Sequence, residues 1–340
     1  MPFAGVTRRV GKEFRPAALG RDTRWRLAMA AKQRATAARL FHARKELSRC
    51  PICGSRRHER FVTVFGFVYA ACGDCGHIFC QTPLDPSAAA SLYSAEEDER
   101  RCAQAAVYVD EELFRARIET IARPKAEFVA SVVSERGVWV DVGCGTGELI
   151  AAAAELGWRC RGVESDPEEI AFGRRHGLQI EAEFADEANI GRLVAAAQVV
   201  SLINLLEHVT HPADLLSAAV KASVPGTYVV LEVPRHPSLS ALANQAFPEL
   251  ACRHIYAPDH LHVFTEESAA RMLKAAGLEA IALWVFGQDF QDLVGTVLAA
   301  RLPGADADWR VVTDAAPNIQ AAVDAAELSD TLFLIARKRR

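Results

Sequence analysis

The sequence has no uninterrupted apolar run of about 18 residues, so we expect no membrane-spanning helix. Half of the 340 residues are nonetheless hydrophobic, which is enough for a sizeable core and excludes a chain that is disordered throughout. A chain of this length predicts one large domain with a small domain beside it, or two domains.

Acidic residues are scarce in residues 1–49, which carry 13 Lys or Arg against 3 Asp or Glu. A basic, acid-poor N-terminus is compatible with a transit peptide, a nucleic-acid-binding arm, or a solvated helix packed on an acidic neighbour. The remaining residues carry 26 basic against 40 acidic side chains. This acidic body argues against a nucleic-acid substrate held on a broad basic face.

The nine cysteines are odd in number and unevenly spaced, which argues against the disulfide framework of a secreted protein. We therefore expect a reducing, cytoplasmic environment. Four of the cysteines form two C-x-x-C pairs, Cys50 with Cys53 and Cys72 with Cys75, separated by 18 residues. This spacing is typical of a zinc site, although four unrelated buried cysteines remain the alternative.

These pairs predict a zinc ribbon over residues 50–86. The sequence between them predicts a short hairpin, with strands at Phe61–Phe65 and Phe67–Ala70 on either side of Gly66. So small a module has little hydrophobic core of its own. Structural zinc can contribute about 10–16 kcal/mol of folding free energy to such a module. Four cysteines complete a tetrahedron and leave no open position, so we expect a structural ion and not a catalytic one.

Helical segments flank the ribbon on both sides. Residues 1–20 read as irregular, and residues 22–47 predict one basic amphipathic helix capped by Asp22. We expect the apolar face of this helix to pack either on the next module or on a second subunit. In the second case the protein would form a homodimer whose interface contains residues 1–49. Residues 87–136 predict a helical connector or lid before a final domain at 137–340.

A glycine-rich turn lies at the centre of the chain. Val138–Val142 predicts a strand, and Gly143, Gly145 and Gly147 predict a tight loop before a helix that begins at Glu148. A dinucleotide site requires G-x-G-x-x-G, but Glu148 occupies the place of the third glycine. A carboxylate is a poor neighbour for pyrophosphate, which leaves a cofactor without phosphate, or a tight turn without function, as the alternatives.

Strands alternate with helices after residue 138, which predicts a parallel sheet covered by helices on both faces. Asp141 ends the first strand, Glu164 ends the second 23 positions later, and Asn204 to His208 follow the fourth. Ligands of such sheets bind beyond the carboxyl ends of the strands, where these segments converge. Glu164 stands where a carboxylate holds ribose hydroxyls, and Phe184 follows the third strand where it would border an adenine.

From about Val138 to Leu283 the chain resembles the class I S-adenosylmethionine-dependent methyltransferases of the UbiG-like group. The resemblance rests on the D-x-G-x-G-x-G motif at 141–147, on Glu164, on the L-E-H-V-x-x-P segment at 206–212 and on D-H-L-H-V-F-T at 259–265. It implies a Rossmann-like α/β fold with seven strands, the sixth at 280–286 and an antiparallel seventh at 331–336. The cofactor-binding residues that it implies are Asp141, Gly143, Cys144, Gly145, Gly147, Glu164, Phe184 and Asn204.

Methyl transfer needs two positioned reactants and, for some acceptors, one proton acceptor. His208 is the first candidate for that role, because histidine titrates near working pH and this one would lie at the crevice. Glu207 is a candidate for orienting it, and His260 and His262 lie in the expected substrate wall together with His254. A packed or surface histidine is the alternative for each. Quinone-methylating relatives carry Glu at the position of Asn204 and use it with the Glu-His pair on a divalent ion.

Three functions remain open from the sequence. The first is methyl transfer to oxygen or carbon of a small molecule such as a sugar, a nucleotide-linked sugar, a lipid or a secondary metabolite. The second is RNA methylation, although the chain has neither an Asn-Pro-Pro-Tyr motif nor a Pro-Cys nucleophile after the fourth strand. The third is a non-catalytic binding protein built on the ribbon. Binding of S-adenosylmethionine separates the first two from the third, and salt-dependent RNA affinity separates the second from the first.

Overall fold

A computed structural model describes residues 2–12, 23–94, 108–251, 253–294 and 310–339. In this part of the chain the strands form an eight-stranded sheet and a four-stranded sheet. In chain order the strands are β1 (Thr7–Val10), β2 (His58–Val64), β3 (Phe67–Cys72), β4 (Ile78–Cys80), β5 (Val138–Val142), β6 (Arg159–Glu164), β7 (Ile180–Ala182), β8 (Val199–Ile203), β9 (Tyr228–Pro234), β10 (His262–Val263), β11 (Leu278–Phe286) and β12 (Thr331–Lys338).

The helices cover the two faces of the large sheet and one end of the small one. They are α1 (Thr23–Leu40), α2 (Pro86–Ser94), α3 (Glu111–Arg117), α4 (Arg123–Val132), α5 (Glu148–Glu155), α6 (Pro167–Arg175), α7 (Ile190–Val194), α8 (Pro212–Ala222), α9 (Leu239–Ala246), α10 (Glu266–Ala275) and α11 (Arg310–Ala325), with a π-helical turn (Ile118–Ala122) joining α3 to α4. None of the helices in the described ranges is both long enough and apolar enough to cross a membrane.

The large sheet has the order β1-β11-β12-β9-β8-β5-β6-β7, and every strand except β12 runs in the same direction. This confirms the predicted α/β fold, with seven strands in a Rossmann-like arrangement and the last one antiparallel. Cores lie on both faces, because successive strand residues point to opposite sides. Val140 and Val142 pack with α7, α8 and α10 on one face, whereas Trp139 packs with α4 and α5 on the other.

The eighth strand, β1, was not predicted, and residues 1–20 were wrongly interpreted as irregular throughout. Thr7–Val10 pairs in parallel with Ala282–Val285 of β11 at the edge of the sheet. All four of its side chains are exposed, so the segment has no hydrophobic alternation that sequence analysis detects. Its stability comes from backbone pairing and from arginine contacts with distant residues.

Helix α1 ends earlier than predicted, at Leu40 instead of Leu47, and a single 3₁₀ turn (Phe41–Ala43) follows it. The backbone then extends, because the N–H of Lys45 donates to the Pro83 carbonyl and that of Leu47 donates to the Gln81 carbonyl. Pairing with the chain that leaves the ribbon therefore overrides the helix propensity of residues 44–47. The predicted cap, Asp22, lies outside the described residues.

The small sheet contains the predicted hairpin, β2 and β3, and has the order β10-β4-β3-β2. Its outer strand β10 comes from the segment after β9, about 180 residues beyond β4 in the chain. Ala37 and Leu40 of α1 pack into the same apolar cluster as Val64 and Ile78 and as six residues from the region after β9, which are Ala241, Ala251, Ile255, Ala257, Leu261 and Val263. The ribbon thus shares its core with the region that follows β9. The division of the chain at residues 49, 86 and 136 remains a prediction.

Candidate active site

A cavity of about 410 Å³ opens at the carboxyl edge of the large sheet. Its lining includes residues at or just after the ends of β5, β6 and β8, Glu232 within β9, the turn between α3 and α4, and four residues between 253 and 260. The predicted residues Asp141, Gly143, Cys144, Gly145, Glu164, Asn204, His208 and His260 all line it. Three distant segments therefore meet at the edge where the topology places ligands.

The glycine turn has the geometry that only glycine adopts without strain. Gly143, Gly145 and Gly147 have φ values of +71°, +56° and +94°. A Cβ atom on Gly147 would lie 2.5 Å from Cδ1 of Leu178, so a side chain there would displace the end of Leu178 in addition to straining the backbone. Gly147 itself does not line the cavity; it fixes the start of α5 at Glu148.

Glu164 connects the second strand to this turn. Its Oε2 accepts a hydrogen bond of 3.0 Å from the Gly145 N–H. Its Oε1 accepts from the N–H groups of Ser165 and Asp166, at 2.6 and 3.0 Å. Asp166 caps α6 through Glu168 and Glu169, with Pro167 in the first turn, as the sequence predicts. The carboxylate is thereby held against the glycine turn, with its position set by backbone donors.

Asp141 lies at the base of the cavity and is almost fully buried. The hydroxyl of Ser201 donates to it, and the indole N–H of Trp139 donates to that hydroxyl at 2.8 Å. Burial raises the pKa of Asp141 to about 7, although the Ser201 hydrogen bond opposes the shift. A cation bound nearby would favour the charged form of this carboxyl group.

Four carboxyl groups from two consecutive strands and the helices that follow them line the cavity, and we call Asp141, Glu148, Glu164 and Glu169 the acidic wall. Glu169 was missed by sequence analysis, because it lies on α6 as one of several acids in a helix start. Burial, and after it the nearby Glu164, raises the pKa of Glu169 well above its ordinary value. Carboxyl groups at such density suit a ligand that carries positive charge.

Three histidines and one tyrosine also line the cavity, and we call His208, His254, Tyr256 and His260 the imidazole wall. The rings of His208 and His260 meet edge to face with centroids 4.5 Å apart, and His260 stacks on Tyr256 at 4.4 Å. Nδ1 of His208 lies 3.1 Å from the Asp259 carbonyl oxygen, which only accepts. Nδ1 therefore carries the proton, and Nε2 is the basic atom of the neutral ring.

Burial lowers the pKa of His208 to about 4, so this ring is neutral at physiological pH. Burial likewise raises the pKa of Glu207 well above its ordinary value. Donor atoms of Glu207, His208 and His260 all lie within 4.8 Å of one another, a spacing that suits a divalent ion. Glu207 does not line the cavity, so of these three side chains only His208 and His260 face the space that a ligand would occupy.

Two other predicted residues lie away from the cavity lining. His262 on β10 is fully buried, and its Nε2–H donates to the Val209 carbonyl at 2.9 Å. Its Nδ1 then accepts from Nε2 of His77 at 3.1 Å, which joins the ribbon to the segment after β8. Phe184 is 46% exposed beside β7, and the structure does not bring it into the cavity lining.

Lys125 and Glu232, which were not predicted from the sequence, also line the cavity. Lys125 of α4 pairs with Glu232 at 2.6 Å, and Asn204 donates to the same carboxylate at 3.3 Å. Nε2 of His254 lies 3.2 Å from the buried Asp330, and the backbone of His254 has a φ of +64°. Such strain in a non-glycine residue is common at functional sites. The partners in each of these pairs lie far apart in the chain, so no local sequence pattern predicts the pairing.

The four predicted metal ligands form a cluster on the ribbon. The Sγ atoms of Cys50 and Cys75 lie 3.7 Å apart, and those of Cys53 and Cys72 lie 3.5 Å apart. Sulfurs at about 2.3 Å from a central zinc ion are about 3.8 Å apart in a regular tetrahedron. The bond to Cys75 lowers the pKa of Cys50 to about 5 and raises that of Cys75. Four thiolates this close need a cation between them, so the donor set fits zinc.

Comparison with known proteins agrees with this geometry. A family profile described as a methyltransferase domain matches residues 109–283, just over half of the chain. The ubiquinone biosynthesis O-methyltransferase of Idiomarina loihiensis is 31% identical over 169 residues, which cover 48% of this chain and 69% of that protein. The protein of the same name from Burkholderia thailandensis is 27% identical over 151 residues, covering 42% and 65% of the two chains.

Solved structures with a similar chain path include a SAM-dependent methyltransferase from Archaeoglobus fulgidus, at 20% identity and a TM-score of 0.43, covering 67% of this chain and 97% of that one. Another is the 1,6-didemethyltoxoflavin-N1-methyltransferase of Burkholderia thailandensis, at 17% identity and a TM-score of 0.46, covering 79% and 98%. The profile match and the relative from Idiomarina loihiensis establish the family. The chain belongs to the methyltransferase-domain family and is an S-adenosylmethionine-dependent methyltransferase.

Proposed function

We propose that this enzyme methylates an oxygen atom of a small molecule. The observation that carries the proposal is that one cavity is lined by both walls, the carboxyl groups of the acidic wall and the histidines of the imidazole wall. S-adenosylmethionine, when bound, supplies a methyl group on a positively charged sulfur. The acidic wall complements that charge, and the glycine turn lets a ligand approach the backbone closely.

Each residue of the acidic wall has a distinct role in this proposal. Glu164 accepts hydrogen bonds from the ribose hydroxyls, because its carboxylate is already oriented by three backbone N–H groups. Asp141 holds the glycine turn from below through its position at the end of β5. Glu148 and Glu169 lie beside the positively charged portion of the ligand, whose charge favours the ionised form of the buried Glu169 carboxyl group.

His208 is the proton acceptor in the proposal. Its Nδ1–H is fixed by the Asp259 carbonyl, so Nε2 accepts the hydroxyl proton of the acceptor as the methyl group is transferred. Edge-to-face contact with His260 fixes the plane of the ring. The names of the two relatives favour oxygen over carbon as the methylated atom. The four ribbon cysteines hold a structural zinc ion.

Calorimetric titration with S-adenosylhomocysteine tests the cofactor site. Glu164→Ala is expected to weaken binding at least about tenfold, because loss of a charged hydrogen-bonding partner costs about 1.5–3 kcal/mol. Glu279→Ala, which removes an exposed carboxylate on β11, is the matched control and should bind as the wild type does. Equal affinity in the wild type and Glu164→Ala contradicts the assignment.

The acceptor atom is identified with S-adenosylmethionine carrying a ¹³C-methyl group and a panel of phenols, sugars and lipids. An oxygen-bound methyl product has a carbon chemical shift near 55–60 ppm, well separated from that of a carbon-bound methyl. A carbon-methylated product would replace the oxygen assignment while keeping the enzyme class. Absence of cofactor binding by the wild type would overturn both.

A further inference from the structure

The unpredicted strand β1 brings a lysine to the cavity. Because β1 is parallel to β11, and β11 is parallel to the strands that carry the acidic wall, its carboxyl end meets the same edge of the sheet. The N–H of Gly11 donates to the Val285 carbonyl at 2.8 Å, and the indole N–H of Trp284 donates to the Gly11 carbonyl at 2.7 Å. Lys12 follows directly and lines the cavity.

The position of β1 is fixed by side chains as well as by its backbone. Arg8 pairs with Glu266 of α10 at 2.7 Å and also with Glu327. The guanidinium of Arg9 lies 3.9 Å from the centroid of the Trp284 ring, within the range of a cation–π contact. Two neighbouring residues thus tie the exposed strand to the rest of the domain, so that Lys12 is presented from an anchored position.

Three other cations line the cavity, and each has a carboxylate partner. Arg117 pairs with Glu148 at 2.7 Å, Lys125 with Glu232 at 2.6 Å, and Arg253 with Asp330 at 2.6 Å. Within the described ranges, no carboxylate lies at ion-pair distance from the Lys12 ammonium. Its nitrogen instead faces the ring of Phe286, 5.4 Å from the centroid.

The missing partner has an energetic consequence. Burial lowers the pKa of Lys12 to about 7, and the nearby Lys125 lowers it further, whereas Glu232 raises it. Desolvating a cation without a counter-charge is unfavourable. An anionic oxygen placed in the cavity would relieve this cost and restore the charged ammonium, so the arrangement favours a negatively charged ligand.

We propose that Lys12 binds a negatively charged oxygen group, a carboxylate or a phosphate, on the methyl acceptor. The proposal rests on the proposed function, because it assigns the acceptor of that reaction to the class of small acidic molecules. The ammonium forms an ion pair with the acid, while the hydroxyl to be methylated lies toward His208. Lys12 is then a specificity-determining residue, and an uncharged analogue of the same acceptor lacks its partner.

The test uses full-length protein saturated with S-adenosylhomocysteine and two matched probes, 3,4-dihydroxybenzoate and 3,4-dihydroxybenzamide. Inorganic phosphate serves as a competing anion and shows whether a phosphate is preferred to the carboxylate. Four proteins are titrated by calorimetry at pH 6.5: wild type, Lys12→Met, Lys12→Arg and Lys274→Met. The last removes an exposed lysine on α10 and serves as the control.

We expect the wild type, Lys12→Arg and Lys274→Met to bind the acid at least about tenfold more tightly than the amide. Lys12→Met should bind both probes equally and bind S-adenosylhomocysteine as the wild type does. The preference should also fall as the pH rises from 6.5 to 8.5, since the ammonium, surrounded by Lys125, Arg9 and Glu232, loses its proton in this window.

Three results would overturn the proposal. One is the absence of any preference for the acid in the wild type, including failure to bind either probe. Another is a preference that survives in Lys12→Met. The third is a tenfold loss of S-adenosylhomocysteine affinity in Lys12→Met, which would assign Lys12 to the carboxylate of the cofactor. Failure of the wild type to bind S-adenosylhomocysteine would instead overturn the proposed function itself.

Discussion

The acidic wall and the imidazole wall are assembled in different ways. The acidic wall comes from residues 141–169, where two consecutive strands, their loops and the starts of their helices lie next to each other. The imidazole wall combines His208 with residues 254–260, and these are held by the ribbon. The Tyr69 hydroxyl donates to the His260 carbonyl at 2.6 Å, and the Cys80 N–H donates to the Leu261 carbonyl at 2.7 Å.

This difference suggests that cofactor binding and acceptor binding depend on separate parts of the fold. The acidic wall makes use of the parallel sheet alone, whereas the imidazole wall also needs the small sheet. Thr265, which caps α10 just after β10, donates from its hydroxyl to the Cys75 carbonyl at 2.6 Å. A metal-dependent ribbon would thus set the position of the acceptor side of the cavity.

The largest expected effect comes from removing a metal ligand. Cys72→Ser should abolish methyl transfer, because structural zinc contributes about 10–16 kcal/mol to the folding of a small module. Affinity for S-adenosylhomocysteine should change less than about threefold if the walls are independent. Calorimetry and a transfer assay measure the two quantities. Cys160→Ser replaces a cysteine outside the cluster and is the control. If Cys72→Ser loses S-adenosylhomocysteine affinity together with methyl transfer, the two walls are not independent.

His208→Asn should lower kcat about 10²–10⁴-fold, the usual contribution of a positioned proton acceptor, and leave S-adenosylhomocysteine affinity unchanged. His211→Asn, an exposed histidine three positions away, is the control. The wild-type profile of kcat, measured at saturating acceptor so that binding through Lys12 does not contribute, should be flat above about pH 5 and fall toward lower pH, since the pKa of His208 is about 4. A profile limited by a group near pH 6.5 would contradict this assignment.

Gly147→Ala tests how strongly the glycine turn beside the acidic wall depends on glycine. The substitution introduces a Cβ at 2.5 Å from Leu178 and a side chain at a φ of +94°, so the free energy of unfolding should fall by about 1–3 kcal/mol. Gly177→Ala separates the two causes, because its φ is +78° and no atom lies within 4 Å of the added Cβ. Denaturant unfolding compares the variants, and equal losses would exclude a role for the Leu178 contact.

The last prediction concerns the pH dependence of stability that His262 contributes. Burial lowers its pKa to about 3, so the unfolded chain binds more protons between about pH 6.5 and pH 3. Stability is therefore lost as the pH falls through this window, by about 1.4 kcal/mol per pH unit for one such group. Unfolding of the wild type and His262→Gln at pH 7 and 5 measures the difference. An equal pH slope in the two proteins would contradict the shift.

Local patterns accounted for much of the fold, for Asp141 and Glu164 of the acidic wall, and for the three histidines of the imidazole wall. The glycine turn, Glu164 and the cysteine pairs are visible in sequence because each depends on residues close together in the chain. β1 was missed, because its four exposed residues are defined by pairing with β11. Glu169 and Lys12 were missed for a related reason, since their roles depend on burial beside residues that the sequence does not place near them.

A crystal structure of the enzyme with S-adenosylhomocysteine is the most direct test of the central claim that the cavity between the two walls is the methyl-transfer site. The account predicts ribose hydroxyls within hydrogen-bond distance of Glu164, and a sulfur atom that faces the part of the cavity lined by His208. A ligand bound elsewhere, or a ribose that makes no contact with Glu164, would contradict it.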